Sequence, residues 1–504
     1  MTVTKPDSTP GASPAQGREG IVVRRLPVQF YGDVKHVVHL PLTPAGWRIR
    51  SLLARVERLP EEQVASVLEE TMASYGMRHL DLMETFETRY RDAAALVAWR
   101  DDWTPVRRRL AGAYLTMEYA IEGAALFNPS IVAHPDQAGV PAGAVRFLMS
   151  LRATGEGHVS SIVFRTGLID AAGEVRVDQP PTKLTRAQIS PDQQYLKPLI
   201  RRKLQEMGVS RMEGVEKVLS RLGESFTIPQ LNQAVAETRN TEVLPPDTHR
   251  GIDFLMWVTR SNYRIQMPPR ADLTQLVLYP VMQEEAHGVE DLRLVRFVEQ
   301  DGSVEYVGTY VAYDGQRTLP MLLQTRDFRE IEVHSINGAA ALDKGMVLFP
   351  RRINGHYVMC SRIDGENLYI MYSDLLHFWE SAECLAGPNA TWNLLQVGNC
   401  GSPLETPEGW LLLTHGVGPM RTYAIGAMLL DLDNPIRIRG RLRAPLLRAA
   451  PTEQEGYVPN VVYTCGSMVH GGMLYIPFAL ADRSTTMCTV AVEELVRCLL
   501  DSGP

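Results

Sequence analysis

Two carboxylates and a guanidinium stand together in the run Glu290-Asp291-Leu292-Arg293. A carboxylic acid held in a site can protonate the leaving group of a displacement reaction, and a neighbouring cation tunes its pKa. The same pattern is also typical of a surface salt bridge. This group of two carboxylates and one guanidinium therefore indicates either an acid catalyst or an exposed ion pair.

Basic and aromatic residues recur further along the chain, where they could complete a site for an anion. They are Lys344, Arg362, His415, Arg421 and Tyr423, and Asp482 follows near the end of the chain. Such cations suit an anionic substrate or an attacking anion. Two of these residues have a structural alternative. His415 could be a hydrogen-bonded core residue of the apolar run LLLTHGV, and Asp482 could begin a turn.

Motifs for several other chemistries are missing from the sequence. It contains no HxxxH, HExxH or Asp/Asn-rich loop for a metal, and no GxGxxG after a strand, GxxxxGK[ST] or GxSxG. We therefore expect no metal and no organic cofactor.

The elements that must position the candidate residues are short β-strands. From Lys344 to Glu380 the sequence predicts three antiparallel strands, VLFPRRI, HYVMCSRI and NLYIMYS, which are separated by Asn354-Gly355 and Asp364-Gly365. Asn-Gly and Asp-Gly supply the positive φ angles of two-residue hairpin turns.

Segments of this character recur at intervals of roughly 50 to 60 residues, the spacing expected of propeller blades. Their openings are NPSIV (128–132), VEDLRLV (289–295), KGMVLF (344–349), GNCGSPLE (398–405) and GYVPNVVY (456–463). Five units of about four strands predict a mainly β protein with a five-bladed β-propeller, whose closed ring protects the edges of its sheets. A pair of β-sandwiches is the structural alternative.

Two other parts of the chain have a helical pattern. We expect a disordered tail over residues 1–20, an α-helical region over 21–125, and a helical insertion at about 183–240 inside a catalytic domain of residues 126–500. The first helical region could cap the larger domain or form a dimer interface. Strand character should resume at Ile252.

Composition limits the class of protein. The chain has 504 residues and a formal net charge of −7, so no overall charge favours nucleic acid. Its 6 cysteines include no close pair, and no run reaches the length of a membrane span. The N-terminal segment lacks the apolar stretch of a signal peptide. We expect a cytoplasmic protein that binds neither nucleic acid nor membrane.

The series of motifs resembles glycoside hydrolase family 130, the β-mannoside phosphorylases and β-mannosidases. The motifs are FNPSIV, MSLRA, GVEDLRLVRF, TYVAYDG, KGMVLFPRRINGHYVMCSR, ETPEGWLLLTHGVGPMRTYAIGAMLLDLDNP, and GYVPNVVYTCG with LYIPFALAD. They cover roughly 126–180 and 250–500, and the helical parts resemble the additions of longer branches. The resemblance implies a five-bladed propeller that cleaves β-mannosides with inversion, by phosphate in most members and by water in some.

The resemblance also implies roles for individual residues. Asp291 matches the single catalytic acid, which in some members protonates the glycosidic oxygen through a sugar hydroxyl. The remaining matches are Asn128, Arg152, Arg293 and Asp482 for the mannosyl residue, and Lys344, Arg362, His415 and Tyr423 for phosphate. The family usually has Asp-Pro-Arg or Asp-Ala-Arg where this chain has Asp291-Leu292-Arg293. Glu156, His158 and His287 receive no role and could line an acceptor subsite or be structural.

The sequence thus predicts an inverting phosphorylase that acts on terminal β-linked mannose in mannobiose or manno-oligosaccharides, with inorganic phosphate as co-substrate. A β-mannosidase on the same scaffold is one alternative, and a propeller that binds glycans or proteins without turnover is another. The amphipathic helices would allow a homo-oligomer. Linkage, acceptor sugar and oligomeric state remain open.

Overall fold

The computed structural model describes residues 20–100, 102–190, 193–209, 213–241 and 244–504. The predicted disordered tail lies outside the described residues except for Gly20. No helix of the described chain is long and apolar enough to cross a membrane.

The chain is mainly β, and its strands form successive antiparallel groups, named here sheets 1 to 5. Sheet 1 contains Ala125–Ala133, Val145–Thr154, Ser160–Ile169 and Val175–Val177. Sheet 2 contains Gly288–Val298, Val304–Tyr313, Thr318–Thr325 and Glu330–Ser335. Sheet 3 contains Lys344–Leu348, Tyr357–Arg362, Leu368–Ser373 and Glu383–Ala386.

Sheets 4 and 5 complete the series. Sheet 4 contains Gln396–Asn399, Leu404–Thr406, Gly409–Val417, Tyr423–Leu430 and Ile438–Arg441. Sheet 5 contains Val462–Tyr463, Met468–His470, Met473–Leu480, Ser484–Ala491 and, from the start of the chain, Arg24–Tyr31. The N-terminal strand pairs antiparallel with Ser484–Ala491 and therefore ties the start of the chain to its last sheet.

Short strands supplement these sheets. Thr185–Arg186, Gln188–Ile189, Tyr263–Gln266 and Leu276–Leu278 extend sheets 1 and 2, which are joined by the pairing of Gly288 with Ser160. Val37–Pro41 pairs with Thr116–Ala120, and Tyr195–Leu196 pairs with Ser225–Phe226.

The core consists of apolar layers between neighbouring sheets. Phe164 of sheet 1 packs in one cluster with Leu294 of sheet 2. Comparable clusters join sheets 2 and 3, sheets 3 and 4, and sheets 4 and 5. A further cluster joins Phe147 of sheet 1 to Met487 of sheet 5. Each sheet thus packs on the next, and the last packs on the first.

The predicted meander at Lys344 is confirmed by the three antiparallel strands of sheet 3. Asn354 and Gly355 have φ angles of 51° and 86°, as a two-residue turn requires. The second turn differs from the prediction. The connection after Arg362 spans residues 363–367, because the carboxylate of Asp364 accepts from two backbone N–H groups, at 2.9 and 2.8 Å, and builds a wider loop.

Helices lie where the two helical patterns predict them. The N-terminal region contains Gly46–Glu57, Glu61–Tyr75, Leu82–Leu96 and Pro105–Ala113. The insertion contains Lys197–Glu206, Glu213–Leu219, Ile228–Thr241 and Pro246–Arg260, and Val492–Ser502 lies at the C-terminus.

Two predicted limits of these helical parts differ in the structure. The region 21–125 also contains strands, of which Arg24–Tyr31 belongs to sheet 5. Strand character does not resume at Ile252, because Pro246–Arg260 is helical and buries Ile252, Leu255 and Val258 against the other helices of the insertion. A run of apolar residues fits a buried helix as well as a strand.

Candidate active site

A cavity of about 410 Å³ opens where the first strands of the sheets converge. Its walls are Asn128, Arg152, Glu290, Asp291, Arg293, Tyr313, Thr318, Lys344, Arg362, Arg421, Tyr423, Val461, Tyr463 and Asp482. Every one of the five sheets contributes to it. Of the predicted site residues, the structure brings all but His415 to the wall of this cavity.

Three side chains of the cavity contact the carboxylate of Asp291. Asn128 donates from Nδ2 to Asp291 Oδ1 at 2.7 Å, and Arg152 donates from Nη1 to the same oxygen at 3.3 Å. The other carboxylate oxygen, Oδ2, lies 3.6 Å from Nη2 of Arg293. Arg293 also donates from Nη1 to the backbone carbonyl of Asp291 at 2.9 Å. The carboxylate is therefore fixed in one orientation by three neighbours.

These neighbours decide the charge of Asp291. Burial raises its pKa, but the positive charges of Arg152, Arg293 and Lys344 and the hydrogen bond from Asn128 outweigh burial and lower the pKa to about 2. Asp291 is consequently ionised at neutral pH. It could donate a proton at this pH if negative charge brought close to it raised its pKa.

The backbone at several site residues is left-handed. Asn128, Asp291 and Asp482 have φ angles of 48°, 55° and 51°. Among residues with a side chain, Asn and Asp tolerate this conformation best. At Asn128 and Asp291 the strand pairing also shifts register, as in a β-bulge. Bulges re-aim side chains beside active sites, and here they turn the two side chains toward the cavity.

Arg152 links the two carboxylates. It donates from Nη2 to Glu290 Oε1 at 2.7 Å and from Nε to Ser160 Oγ at 2.9 Å, and its guanidinium lies 5.0 Å from the ring centre of Phe127. Burial raises the pKa of Glu290, while Arg152 opposes this and Asp291 adds to it. The predicted surface salt bridge is therefore a buried network at the cavity wall.

The cationic side of the cavity is formed by sheet 3. Lys344 and Arg362 are directly paired across two antiparallel strands, so both basic side chains reach the same region. Arg362 donates from Nη1 to Nε2 of His415 at 3.1 Å, and its Nη2 lies 3.8 Å from Asp343 Oδ2. Two cations near one wall suit a dianionic ligand.

His415 lies behind Arg362, in the interior. Its Nδ1 lies 3.1 Å from the carbonyl of Asn399, and its Nε2 accepts from Arg362 and Gln396, each at 3.1 Å. Burial, with the charge of Arg362, lowers the pKa of His415 to about 3. The ring is therefore neutral, and its Nε2 acts as an acceptor that orients Arg362. Both ring nitrogens already have hydrogen-bond partners within the chain.

Sheets 4 and 5 close the cavity with aromatic and charged side chains. Tyr423 stacks on His415 with 6.0 Å between ring centres, and Tyr463 meets the same ring edge-on at 5.0 Å. Burial raises the pKa of Asp482 to about 6, with Asp291 adding to the rise and Arg152 and Arg421 opposing it. The cavity therefore holds a second carboxyl that can carry a proton near neutral pH.

The sequence interpretation missed parts of this wall. Tyr463 accepts a hydrogen bond from Nη2 of Arg293 at 3.1 Å, and Tyr313, Thr318 and Val461 also line the cavity. Tyr463 could have been found from its place in GYVPNVVYTCG, the opening of the fifth unit. Tyr313 lies in the motif TYVAYDG and could have been found there, whereas Thr318, on the neighbouring strand, shows no local pattern.

The residues that received no role lie at the edge of this region. His158 Nδ1 lies 3.0 Å from the hydroxyl of Tyr457, which is exposed. The ring of His287 packs edge-on against Tyr313, with 6.1 Å between ring centres. His287 thus supports a wall residue of the cavity.

Comparisons with known proteins identify relatives of the chain. The family model described as beta-1,4-mannooligosaccharide phosphorylase matches residues 269–500. A 1,2-beta-oligomannan phosphorylase of Thermoanaerobacter sp. is 34% identical over 231 residues, which are 43% of this chain and 73% of that protein.

Two further matches, one in sequence and one in structure, are with Listeria innocua beta-1,2-mannobiose phosphorylase. A beta-1,2-mannobiose phosphorylase of serovar 6a is 31% identical over 229 residues, which are 44% of this chain and 63% of that protein. A solved complex of the Listeria innocua beta-1,2-mannobiose phosphorylase with beta-1,2-mannobiose gives a TM-score of 0.44 at 20% identity, over 76% of this chain and 93% of that chain.

Proposed function

The chain belongs to glycoside hydrolase family 130, and from this premise we propose that it is an inverting mannoside phosphorylase. A phosphate oxygen attacks C1 of a terminal β-linked mannose, and the bond from C1 to the glycosidic oxygen breaks. Asp291 supplies the proton that the leaving oxygen takes up, directly or through a sugar hydroxyl. The products are α-mannose 1-phosphate and the shortened sugar, and the reaction is reversible.

The observation that carries this proposal is the pairing of one fixed carboxylate with a cationic wall in a single cavity. Lys344 and Arg362 are paired across two strands and line the same cavity as Asp291. A hydrolase that activates water has no use for two such cations, whereas a phosphorylase must bind a dianion. Phosphate is already a nucleophile, so the proposed reaction needs no carboxylate to act as a base toward water.

The same cations explain how Asp291 can become an acid. Its pKa of about 2 reflects Arg152, Arg293, Asn128 and Lys344. A phosphate dianion bound at Lys344 and Arg362 would offset the effect of Lys344 and add negative charge nearby. Both changes raise the pKa of Asp291, so proton donation would be coupled to the arrival of the nucleophile.

Mannose would bind on the side of the cavity whose wall is formed by sheets 1, 2 and 5. Asn128, Arg152, Arg293 and Asp482 offer donors and a partly protonated carboxyl, which suit several sugar hydroxyls. Tyr423 would flank the phosphate beside Arg362. His415 would act indirectly, because its ring holds Arg362 and does not reach the cavity wall.

The names of the relatives suggest which substrate to test first. The Listeria and Thermoanaerobacter proteins described above are named for β-1,2-linked mannosides, and the family model is named for a β-1,4-linked one. The chain spans 63% of the length of the Listeria relative. We therefore propose β-1,2-mannobiose and β-1,2-oligomannan as the first substrates to test, with β-1,4-mannobiose as the comparison.

We also propose that the five sheets are the blades of a five-bladed propeller around this cavity. The apolar layers between successive sheets, and between sheet 5 and sheet 1, support a closed ring. The strand Arg24–Tyr31 would then close the ring, because it supplies a strand of the last blade by pairing with Ser484–Ala491. Residues 126–500 would be the catalytic domain, with the helical parts as additions.

Three further features of the protein belong to the proposal. Inorganic phosphate would be the co-substrate and no metal or organic cofactor would be needed, because Arg and Lys side chains supply the positive charge that phosphate requires. A reducing, cytoplasmic location is supported by the six free cysteines. A homo-oligomer through the N-terminal helices is supported by exposed apolar side chains such as Trp47, Met77 and Leu96.

The reverse reaction tests the proposal. The purified chain would be incubated with α-mannose 1-phosphate and a set of acceptors that includes mannose, β-1,2-mannobiose and β-1,4-mannobiose, and released phosphate would be measured. We expect phosphate release with at least one mannose-based acceptor and none from the Asp291→Asn variant. Release at the same rate from Asp291→Asn, or release without any acceptor, would contradict the mechanism.

A further inference from the structure

Two exposed aromatic residues from different sheets contact each other at the rim of the active-site cavity. The hydroxyl of Tyr457 lies 3.0 Å from Nδ1 of His158, and the two ring centres are 5.6 Å apart with 30° between the ring planes. His158 is in the loop between the second and third strands of sheet 1, and Tyr457 precedes the first strand of sheet 5. The pair therefore bridges sheets 1 and 5.

Both loops adjoin the wall of the cavity. The wall residue Arg152 lies close to the end of the strand before the first loop, and its Nε donates to Oγ of Ser160, which follows that loop, at 2.9 Å. In the second loop, the backbone N–H of Val458 donates to the carbonyl of Ala481 at 2.9 Å, and the next residue, Asp482, lines the cavity. The pair thus lies beside the part of the wall that we assign to mannose.

The loop that carries His158 is held in one conformation by the N-terminal region. The hydroxyl of Tyr119 donates to the carbonyl of Glu156 at 2.7 Å. A Cβ at Gly155 would clash with the carbonyl oxygen of Ala120, so only glycine allows this close approach. His158 itself has a φ of 60°, a left-handed angle that persists only where the surroundings impose it. These contacts fix the imidazole at the rim.

Tyr457 presents an aromatic ring to solvent in a fixed orientation. The residue is 55% exposed, although its hydroxyl is held by His158. A tyrosine ring provides a large, rigid and amphipathic contact surface that loses little conformational entropy on binding. A pyranose ring has an apolar C–H face and a rim of hydroxyl groups. Its face therefore packs on such a ring while a hydroxyl reaches the neighbouring imidazole.

The stereochemistry of the proposed reaction places the leaving sugar on this side of the cavity. In an inverting displacement, the nucleophile and the leaving group are on opposite faces of the sugar at C1. The proposed phosphate site is on sheet 3, where Lys344 and Arg362 are paired. Because each sheet packs on the next and the last on the first, the junction of sheets 5 and 1 lies across the cavity from sheet 3. The leaving sugar therefore points toward the rim formed by His158 and Tyr457.

On the basis of the proposed function, we propose that Tyr457 and His158 bind the sugar residue that leaves in phosphorolysis and that accepts mannose in the reverse reaction. The ring of Tyr457 packs on the apolar face of that sugar. His158 holds the tyrosine ring through Nδ1 and hydrogen-bonds a sugar hydroxyl through Nε2. Neither residue touches the reacting atoms, so the pair determines which acceptor is used and leaves the chemistry to the cavity below.

The test separates binding of the acceptor from binding of the donor. Phosphate release in the reverse reaction would be followed with α-mannose 1-phosphate saturating and the preferred mannose-based acceptor varied, and then with the two exchanged. Tyr457→Ala should raise KM for the acceptor about 5- to 20-fold, the loss expected for one aromatic contact. KM for α-mannose 1-phosphate should change less than about twofold. A structural effect on Arg152 or Asp482 would instead raise both KM values.

Three further variants separate the contribution of each group. Tyr457→Phe keeps the ring and should raise KM for the acceptor less than about threefold. His158→Ala should raise it about 2- to 10-fold, because the hydrogen bonds to the sugar and to Tyr457 are both lost. Tyr31→Ala is the control, since Tyr31 is 58% exposed on the outermost strand of sheet 5 and its hydroxyl donates to Gln29 at 2.7 Å. It should leave both KM values unchanged.

Binding without turnover distinguishes a failure of this subsite from a failure of the proposed function. Calorimetry with β-1,2-mannobiose would compare Asp291→Asn with Asp291→Asn/Tyr457→Ala, and the second change should weaken binding about 5- to 20-fold. If the parent chain shows no phosphate-dependent reaction but this weakening is observed, the proposed function fails and the subsite stands. Equal affinities of the two variants, or an equal rise of both KM values in Tyr457→Ala, would overturn the subsite.

Discussion

Replacing His415 tests whether a neutral histidine behind the cavity controls phosphate binding. In the chain, His415 Nε2 accepts from Arg362 Nη1 and from Gln396 Nε2, each at 3.1 Å. His415→Leu removes the acceptor and leaves a buried guanidinium N–H without a partner. Because the pKa of His415 is about 3, its Nε2 stays unprotonated and can accept a hydrogen bond at neutral pH.

The size of the effect follows from the kind of hydrogen bond that is lost. A hydrogen bond to a charged group contributes about 1.5–3 kcal/mol. Each ~1.4 kcal/mol corresponds to a tenfold change in an equilibrium constant. If this energy orients Arg362 for phosphate, His415→Leu should raise KM for phosphate about 10- to 100-fold. KM for the mannoside should change by less than about threefold, because the residues proposed to bind mannose belong to sheets 1, 2 and 5 and not to the wall that His415 supports.

The assay is initial-rate kinetics with each substrate varied while the other is saturating. His415→Gln is the matched control, since its amide oxygen can accept from Arg362, and it should recover most of the phosphate affinity. Circular dichroism and the thermal midpoint would verify that both variants fold. An unchanged KM for phosphate in folded His415→Leu, or an equal rise in both KM values, would refute the role of His415.

The other predictions concern the acid, the second carboxyl, the N-terminal strand and the helices. Asp291→Asn should lower kcat about 10²- to 10⁴-fold while phosphate still binds by calorimetry, and loss of binding together with activity would speak against an acid role. The pKa of Asp482 is raised to about 6, so ionisation of this carboxyl destabilises the folded chain as pH rises from about 4 to 6. By urea unfolding, Asp482→Asn should therefore be about 3 kcal/mol more stable than the parent at pH 7 and about equal to it at pH 4. Phe30→Ala, at a position 7% exposed, should cost about 3 kcal/mol, whereas Tyr31→Ala, 58% exposed on the same strand, should cost less than about 0.5; equal costs would mean that this strand does not pack as described. If the N-terminal helices form the oligomer interface, Trp47→Asp should lower the molar mass measured by light scattering from that of an oligomer to that of a monomer. An unchanged mass would exclude Trp47 from the interface.

Much of the β architecture could be predicted from local sequence. Asn354-Gly355 marked a hairpin turn because few other dipeptides adopt two positive φ angles, and sheet 3 has this turn. The five predicted openings all lie at or beside the first strand of a sheet. Repeated local patterns carry this information where a sheet is built from consecutive strands, as sheets 3 and 4 are.

Long-range pairing could not be predicted in this way. The strand Arg24–Tyr31 joins sheet 5 across more than 450 residues, and its sequence RRLPVQFY shows no strict alternation. The helix Pro246–Arg260 was taken for a strand from Ile252 onward, because a short buried apolar run fits both. Only the packing of the insertion decides between the two.

The candidate site was predicted as a set of residues but not as a set of roles. Asp291 and Arg152 were identified, while the ionised state of Asp291 depends on neighbours from three sheets. His415 was predicted beside phosphate with the basic residues, and the structure places it as a neutral acceptor behind Arg362. Charge and tautomer depend on burial, which a single sequence does not specify.

The central claim is tested most directly by the products of the forward reaction. The chain would be incubated with β-1,2-mannobiose, with and without inorganic phosphate, and the products followed by ¹H and ³¹P nuclear magnetic resonance. The proposed function predicts α-mannose 1-phosphate and mannose in equal amounts, formed only when phosphate is present. Release of two mannose molecules at a rate independent of phosphate would contradict it and would leave Lys344 and Arg362 without the role assigned to them.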